Sequence, residues 1–189
     1  MRSRARRVEV VPPDPRWPVL AKAESDRIAV YLGSNLVRVE HIGSTSIPDL
    51  HAKPIIDLLP LVRQIEDVDP LEASLETAGY NWYGEYGLSG RRYLNRDDEA
   101  GSTRIANIHI FAIDNPEVDR HLAFRDYLLA HPELVAEYGR MKLKCAAQNP
   151  VNIDGYSTCK DPWIKPVEAA AVSGIGRGRL SRTRQRDRV

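Results

Sequence analysis

Long apolar runs are missing from this 189-residue chain. No stretch approaches the roughly 18 consecutive apolar residues that span a bilayer. The basic start, MRSRARRVEVVPPDP, has no apolar segment behind it and so does not read as a secretory leader. A soluble cytoplasmic protein with no membrane partner is expected. Cysteine is scarce too: Cys145 and Cys159 have no metal-like spacing and are too few for a disulfide framework. Reduced thiols without chemistry are therefore expected. Internal repeats and low-complexity tracts are absent, which excludes solenoid and fibrous architectures. What is present, 42% hydrophobic residues over 189 positions, suffices for one well-buried domain and is short for two.

A net charge of +1 conceals an uneven distribution. Residues 1–8 hold four arginines and no acid, and residues 173–189 hold six arginines and one aspartate. The two ends together carry +9, leaving −8 on residues 9–172. Both ends have too little to bury and are expected to be disordered, flanking one domain at 9–172. Clustered arginine can attract nucleic acid, and only this tail offers such a contact. No aromatic residue is interleaved to stack on bases, which favours a plain solvated tail.

Asp14-Pro15 has the form of a helix cap followed by proline, and an apolar stripe from Trp17 to Leu32 predicts a helix stopped by Gly33. LVRVEHI, 36–42, alternates as a strand. PIIDLLPLV, 54–62, is nearly continuous in apolar residues, as in a strand covered on both faces. Asp69-Pro70 predicts a second helix through Ala78, and YNWYGEYG and RRYL predict short strands. TRIANIHIFAI, 103–113, alternates with Asn107 and His109 on one face and Ile108 and Ile110 on the other. Two helices follow, the second starting at Pro132, and a last helical segment covers 157–172. The order implies an α+β domain, a mixed sheet flanked by helices.

The stretch VEHIGSTSIPDLHAKPIIDLLPLV, 39–62, carries the chemistry. Gly43 lets the backbone turn sharply, and Ser44, Thr45 and Ser46 place hydroxyls beside backbone amides, a turn able to hold a phosphate. Such residues are also ordinary turn formers. The more telling residue is Asp57 in the apolar strand, because a desolvated carboxylate requires a cation, a metal or a donor. His109 meets Asp57 in one crevice if their strands are neighbours, giving an acid/base or metal pair. Lys53, just before the strand, can meet an anionic ligand.

EHIGSTSIPDLHAKPIID, with DPRWP upstream and NIHIF, AFRDYLLAHPE and EYGRMK downstream, resembles the GrpB family, grouped with the nucleotidyltransferase superfamily. The resemblance covers residues 9–170 and implies a nucleotidyltransferase-like mixed sheet. In active members of that superfamily a Gly-Ser turn binds nucleotide phosphates, and a D-x-D pair with a third carboxylate holds magnesium. Gly43 and Ser44 match the turn and Asp57 the second aspartate, whereas Ile55 occupies the first and His109 stands on the strand of the third carboxylate. The resemblance thus implies a divalent metal, magnesium or manganese, at Asp57 and His109, with Glu40 or His41 as further ligand candidates. It also suggests ligand contacts from His41, Arg125, Lys142 and Lys160, although surface charge is the commoner role for the two lysines.

Three functions are expected in turn. The first is transfer of a nucleotidyl group from a nucleoside triphosphate to a small-molecule acceptor, with Lys53, Asp57 and His109 as catalytic residues. The second is a catalytically silent ligand-binding or chaperone-like module on the same fold. The third is a non-nucleotide enzyme using Asp57 and His109 on a small anionic substrate.

Overall fold

A computed structural model describes residues 7–186, and the side chains of residues 7–174. The chain runs through helix α1 (Trp17–Leu32), strands β1 (Leu36–Ile42) and β2 (Ile56–Val62) and the short helix α2 (Glu72–Thr77). Strands β3 (Tyr80–Trp82), β4 (Arg91–Asp97) and β5 (Arg104–Ala112) follow, then helices α3 (Pro116–Ala130), α4 (Pro132–Gln148) and α5 (Ile153–Arg186). The strands form one mixed sheet in the order β1-β2-β5-β4-β3. Only β2 and β5 run parallel; the other three pairings are antiparallel. This is the α+β mixed sheet that the sequence predicts.

Helices cover both faces. On one, Trp17, Ala21, Ile28 and Leu32 of α1 pack with Leu75 of α2 against Leu58, Ile108 and Ile110. Full burial of each leucine or isoleucine among them contributes about 1.5–3 kcal/mol. The same stripe carries Glu24, tolerated because Tyr80 Oη donates to it at 2.7 Å and the Arg96 guanidinium pairs with it. On the other face Leu59, Leu61 and Phe111 meet Val118 of α3. Beyond them α3, α4 and α5 share a cluster around Leu128, Val135 and Tyr138. Successive strand residues alternate between faces, so Asp57, Asn107 and His109, in phase with Leu59 and Phe111, project toward α3–α5.

Several expectations need correction. Helix α1 begins at Trp17, and Asp14 instead accepts hydrogen bonds from the Arg16 amide and guanidinium. Asp69-Pro70 lies within a 3-10 turn, Glu66–Leu71, because the residue before a proline resists α geometry; α2 starts only after it. At the basic N-terminus residues 1–6 lie outside the described residues, but Val8 is buried and its amide donates to Pro150 O at 2.9 Å. Helix α5 starts earlier than predicted and continues to Arg186, past the boundary at 172. Residues 169–172, AAAV, carry helix-forming alanines across that boundary, and arginine also favours helix. Residues 187–189 lie outside the described residues.

The cysteines are the plainest correction. Cys145 and Cys159 form a disulfide, with their Cα atoms 5.8 Å apart. The tight turn between α4 and α5 folds the two helices together, so a separation of 14 residues becomes a contact. Closing a loop of that length stabilises a fold by about 3 kcal/mol. Reduction is therefore expected to lower the melting temperature by about 6–12 °C in a chain of this size. Thermal melts with and without a phosphine reductant, with thiols counted, check this; an unchanged melting point with both thiols released would refute it.

No helix among the described residues is long and apolar enough to cross a membrane.

A candidate anion site beneath the Gly-Ser turn

The site begins at the close approach of two chain segments. Gly43 ends β1 with φ 70° and ψ −168°, a region essentially closed to other residues. A Cβ built there would stand 2.4 Å from Asp57 Oδ2, so the turn lies directly on the aspartate. Braces hold it: Ser46 Oγ donates to Gly43 O at 2.6 Å, and Thr45 Oγ1, itself paired with His41 Nε2 at 2.9 Å, donates to Ile55 O at 3.3 Å. Burial pushes the His41 imidazole down to about 4, so it is neutral at pH 7. His41, Thr45 and Ser46, expected as ligand contacts, instead shape the turn and line neither cavity described below.

Asp57 faces β5. Register pairs it with Asn107, whose Nδ2 donates to Asp57 Oδ1 at 2.8 Å. His109 Nε2 stands 3.9 Å from the same oxygen. The expected neighbourhood of the two strands therefore holds, and Asp57 and His109 share one crevice. Burial alone would raise the Asp57 carboxyl, but His109, the Asn107 amide and Lys53 outweigh it and hold it below the usual carboxylate range.

Two cavities meet at Ser44 and Asp57, which line both. One, of about 240 Å³, is mostly apolar, walled by Ile47, Leu50, Phe124 and Leu128 with His109 and His121 at its base. Arg125 also reaches this wall, but its guanidinium is engaged by Glu40 at 2.8 Å, His41 O at 3.2 Å and Asp126 at 2.8 Å. That geometry is structural bracing.

The second cavity, of about 200 Å³, is cationic: Lys53, Lys142 and Lys160 converge on Ser44, Asp57 and Asn107. Lys142 is only 2% exposed, which overturns the surface role expected for it. No carboxylate lies within ion-pair distance of any of the three among the described residues. Their ammonium groups instead lie near aromatic rings, Lys53 and Lys160 at 5.8 and 4.2 Å from the Tyr156 centroid and Lys142 at 5.0 Å from that of Tyr138. Burial, and then repulsion from Lys160, drives Lys142 well below the ordinary lysine range, with Asp57 opposing. Burial brings Lys160 down to about 8, with Lys53 adding to the shift and Asp57 and Asp161 opposing it.

Sequence reasoning passed over Asn107 as an orienting group. Tyr156 is a second such residue. Tyr156 is 1% exposed, and its hydroxyl has no hydrogen-bond partner among the described residues. A buried phenol in that condition marks a place where a ligand or water completes the bonding.

The donor set does not fit the implied divalent metal. Among the described residues there is no group of three His, Cys, Asp or Glu able to hold a metal. Of the candidate ligands, Glu40 is paired with Arg38 and Arg125, and His41 is turned to Thr45. Asp57 and His109 alone offer too few oxygens for magnesium.

The Lys160 ammonium sets a pH window. An anion binds best while it is charged, so affinity is expected to fall as pH rises above about 8, by up to tenfold per unit for one linked proton. Folding shows the opposite trend there, since between 8 and the ordinary lysine range the unfolded chain retains a proton the folded one has lost. Lys53, Asp57 and Asp161 face the same group and modulate both trends. Calorimetric titration at pH 7, 8 and 9 checks this; affinity that rises across the series would contradict it.

Residues 7–170 match the family described as GrpB protein. The UPF0157 protein YqkA of Bacillus subtilis is 41% identical over 166 residues, covering 88% of this chain and 48% of that protein. A dephospho-CoA kinase of Mycolicibacterium paratuberculosis is 30% identical over 180 residues, covering 84% of this chain and 44% of that protein. This chain thus spans about half the length of these two relatives. The crystal structure of conserved protein GrpB from Enterococcus faecalis superposes with a TM-score of 0.84 at 42% identity, covering 88% of this chain and 99% of that one. The matched region contains the turn, Asp57, His109 and all three lysines, and the chain belongs to the GrpB family.

Proposed function

We propose that this chain binds a nucleoside triphosphate or a closely similar phosphorylated small molecule across the ridge formed by Ser44 and Asp57. The convergence of Lys53, Lys142 and Lys160, without carboxylate partners among the described residues, carries this reading. Ammonium groups held in a low-dielectric cavity attract phosphate far more strongly than the same groups in water. The adjoining apolar cavity, with Phe124, His109 and His121 on its wall, suits a planar base.

The reaction class proposed is nucleotidyl transfer to a small-molecule acceptor on a nucleotidyltransferase-like fold. It is supported by the Gly-Ser turn at the end of β1 and by side chains presented from the parallel neighbours β2 and β5. Asp57 stands where the cavities meet, with His109 3.9 Å away on the apolar side, and a reacting phosphoryl group would lie there. Asp57, held ionised, is placed to accept a proton from an acceptor hydroxyl, with His109 beside it. Asn107 orients that carboxylate.

Isothermal calorimetry of ATP, GTP, CTP and UTP tests binding, and pyrophosphate release in the presence of small hydroxylated acceptors tests transfer. Binding of at least one triphosphate that inorganic triphosphate displaces is expected. Absence of binding by a folded chain would overturn the reading, and binding without any release would reduce it to the catalytically silent module.

A further inference from the structure

We infer that the lysine cavity takes its phosphate chain without a divalent cation, the ammonium groups of Lys53, Lys142 and Lys160 supplying the neutralising charge. The inference rests on the reading of this cavity as a phosphate site and names how that site works. Three observations point to it.

The first is charge. Three lysines surround one carboxylate, so a divalent cation entering beside Asp57 meets net repulsion, while a phosphate chain meets net attraction. The second is the state of Asp57. Its Oδ1 is taken by the Asn107 amide and faced by His109, and its Oδ2 stands over the Gly43 turn, so that one oxygen remains for the two cavities the residue lines. One carboxylate oxygen is too few to hold a divalent cation. The service of Asp57 to the lysines is electrostatic, because its charge favours the protonated form of all three. The third is the supply of donors. Tyr156 Oη is buried and unpartnered among the described residues, and each of the three ammonium groups can donate several hydrogen bonds. The Tyr156 and Tyr138 rings hold those groups in place before ligand arrives. A metal site needs surplus oxygen ligands, whereas this cavity has surplus donors.

Calorimetric titration of inorganic triphosphate into the full chain at pH 7, once with EDTA and once with millimolar magnesium, separates the outcomes. Binding in EDTA is expected, weakened about tenfold or more by magnesium, which competes for the phosphates in solution. Lys160→Met and Tyr156→Phe are each expected to lower affinity in EDTA by about tenfold or more, the loss of one hydrogen bond to a charged ligand. Tyr156→Phe removes a single buried hydroxyl and so keeps the test valid if Lys160→Met fails to fold. Binding that requires magnesium would overturn this inference and leave the phosphate site standing. No binding in either condition would overturn both, and undiminished binding by folded variants would show that triphosphate sits elsewhere and overturn both as well.

Discussion

Replacing Lys142 with methionine is expected to weaken triphosphate binding about a hundredfold at pH 7 and, at the same time, to raise the melting temperature. The two effects share one cause. Lys142 lies on the buried stripe of α4 with Val135, Tyr138 and Cys145, yet has no carboxylate partner among the described residues. Desolvating an ammonium there costs stability, and a methionine of similar length fills the space without that cost, a gain on the order of 1–3 kcal/mol. Linkage gives the sign: below the ordinary lysine range the unfolded chain holds a proton that the folded chain tends to lose, so the wild-type fold is weakened there. The gain from Lys142→Met should therefore shrink as pH rises toward that range. A hydrogen bond to a charged group contributes about 1.5–3 kcal/mol, and its upper end is the hundredfold loss. Circular dichroism melts and calorimetry on the same sample check both halves. A variant that is neither more stable nor weaker in binding would show that Lys142 serves only the packing of α4.

Gly43→Ala is expected to cost about 4 kcal/mol and to abolish triphosphate binding. Two penalties combine. The backbone at φ 70° and ψ −168° is closed to a residue with a Cβ, at a cost of about 1–3 kcal/mol. The added methyl would also overlap Asp57 at Oδ2, Cβ and Cγ, and relieving that overlap costs about 1–3 kcal/mol more. The only escape is to push Ser44 and Asp57 apart, which breaks the ridge between the cavities. Gly33→Ala, at φ 51° with open space around it, carries the backbone penalty without the clash. It should lose less stability and retain binding. Urea unfolding of the two variants side by side measures the difference, and equal losses would refute the proposed contact.

Much of this was legible in the residues. The alternation in 103–113 placed Asn107 and His109 on one face, and the single carboxylate in IIDLLPLV marked Asp57 as a residue requiring a partner. A hydrogen-bond donor and His109, both expected, stand beside it. The D-x-D pattern of the wider superfamily directs attention to a metal, while Asp57 stands beside the Asn107 amide and His109, and shares its cavity with Lys142 and Lys160, 85 and 103 positions farther along the chain. A signal for them existed. Lys142 falls between Tyr138 and Cys145 at helical spacing, and Lys160 follows Tyr156 by four residues, so both lie on otherwise buried stripes. A lysine on such a stripe is seldom a surface charge. Arg125 lines the apolar cavity, but its pairing with Glu40 of β1 is announced by nothing local. The disulfide was hidden for a similar reason: the distance between Cys145 and Cys159 depends on the α4–α5 turn, which spacing alone does not reveal.

The central claim is that the lysines gathered beneath the Gly-Ser turn receive phosphate. Carbon-13 NMR of lysine Cε, followed against pH with and without inorganic triphosphate in EDTA, addresses it directly. Lys160 is expected to titrate near 8 in the unliganded chain, Lys142 below the ordinary lysine range, and both midpoints should move up when triphosphate is bound. Ordinary lysine titration at both positions, or midpoints that saturating triphosphate leaves in place, would contradict it.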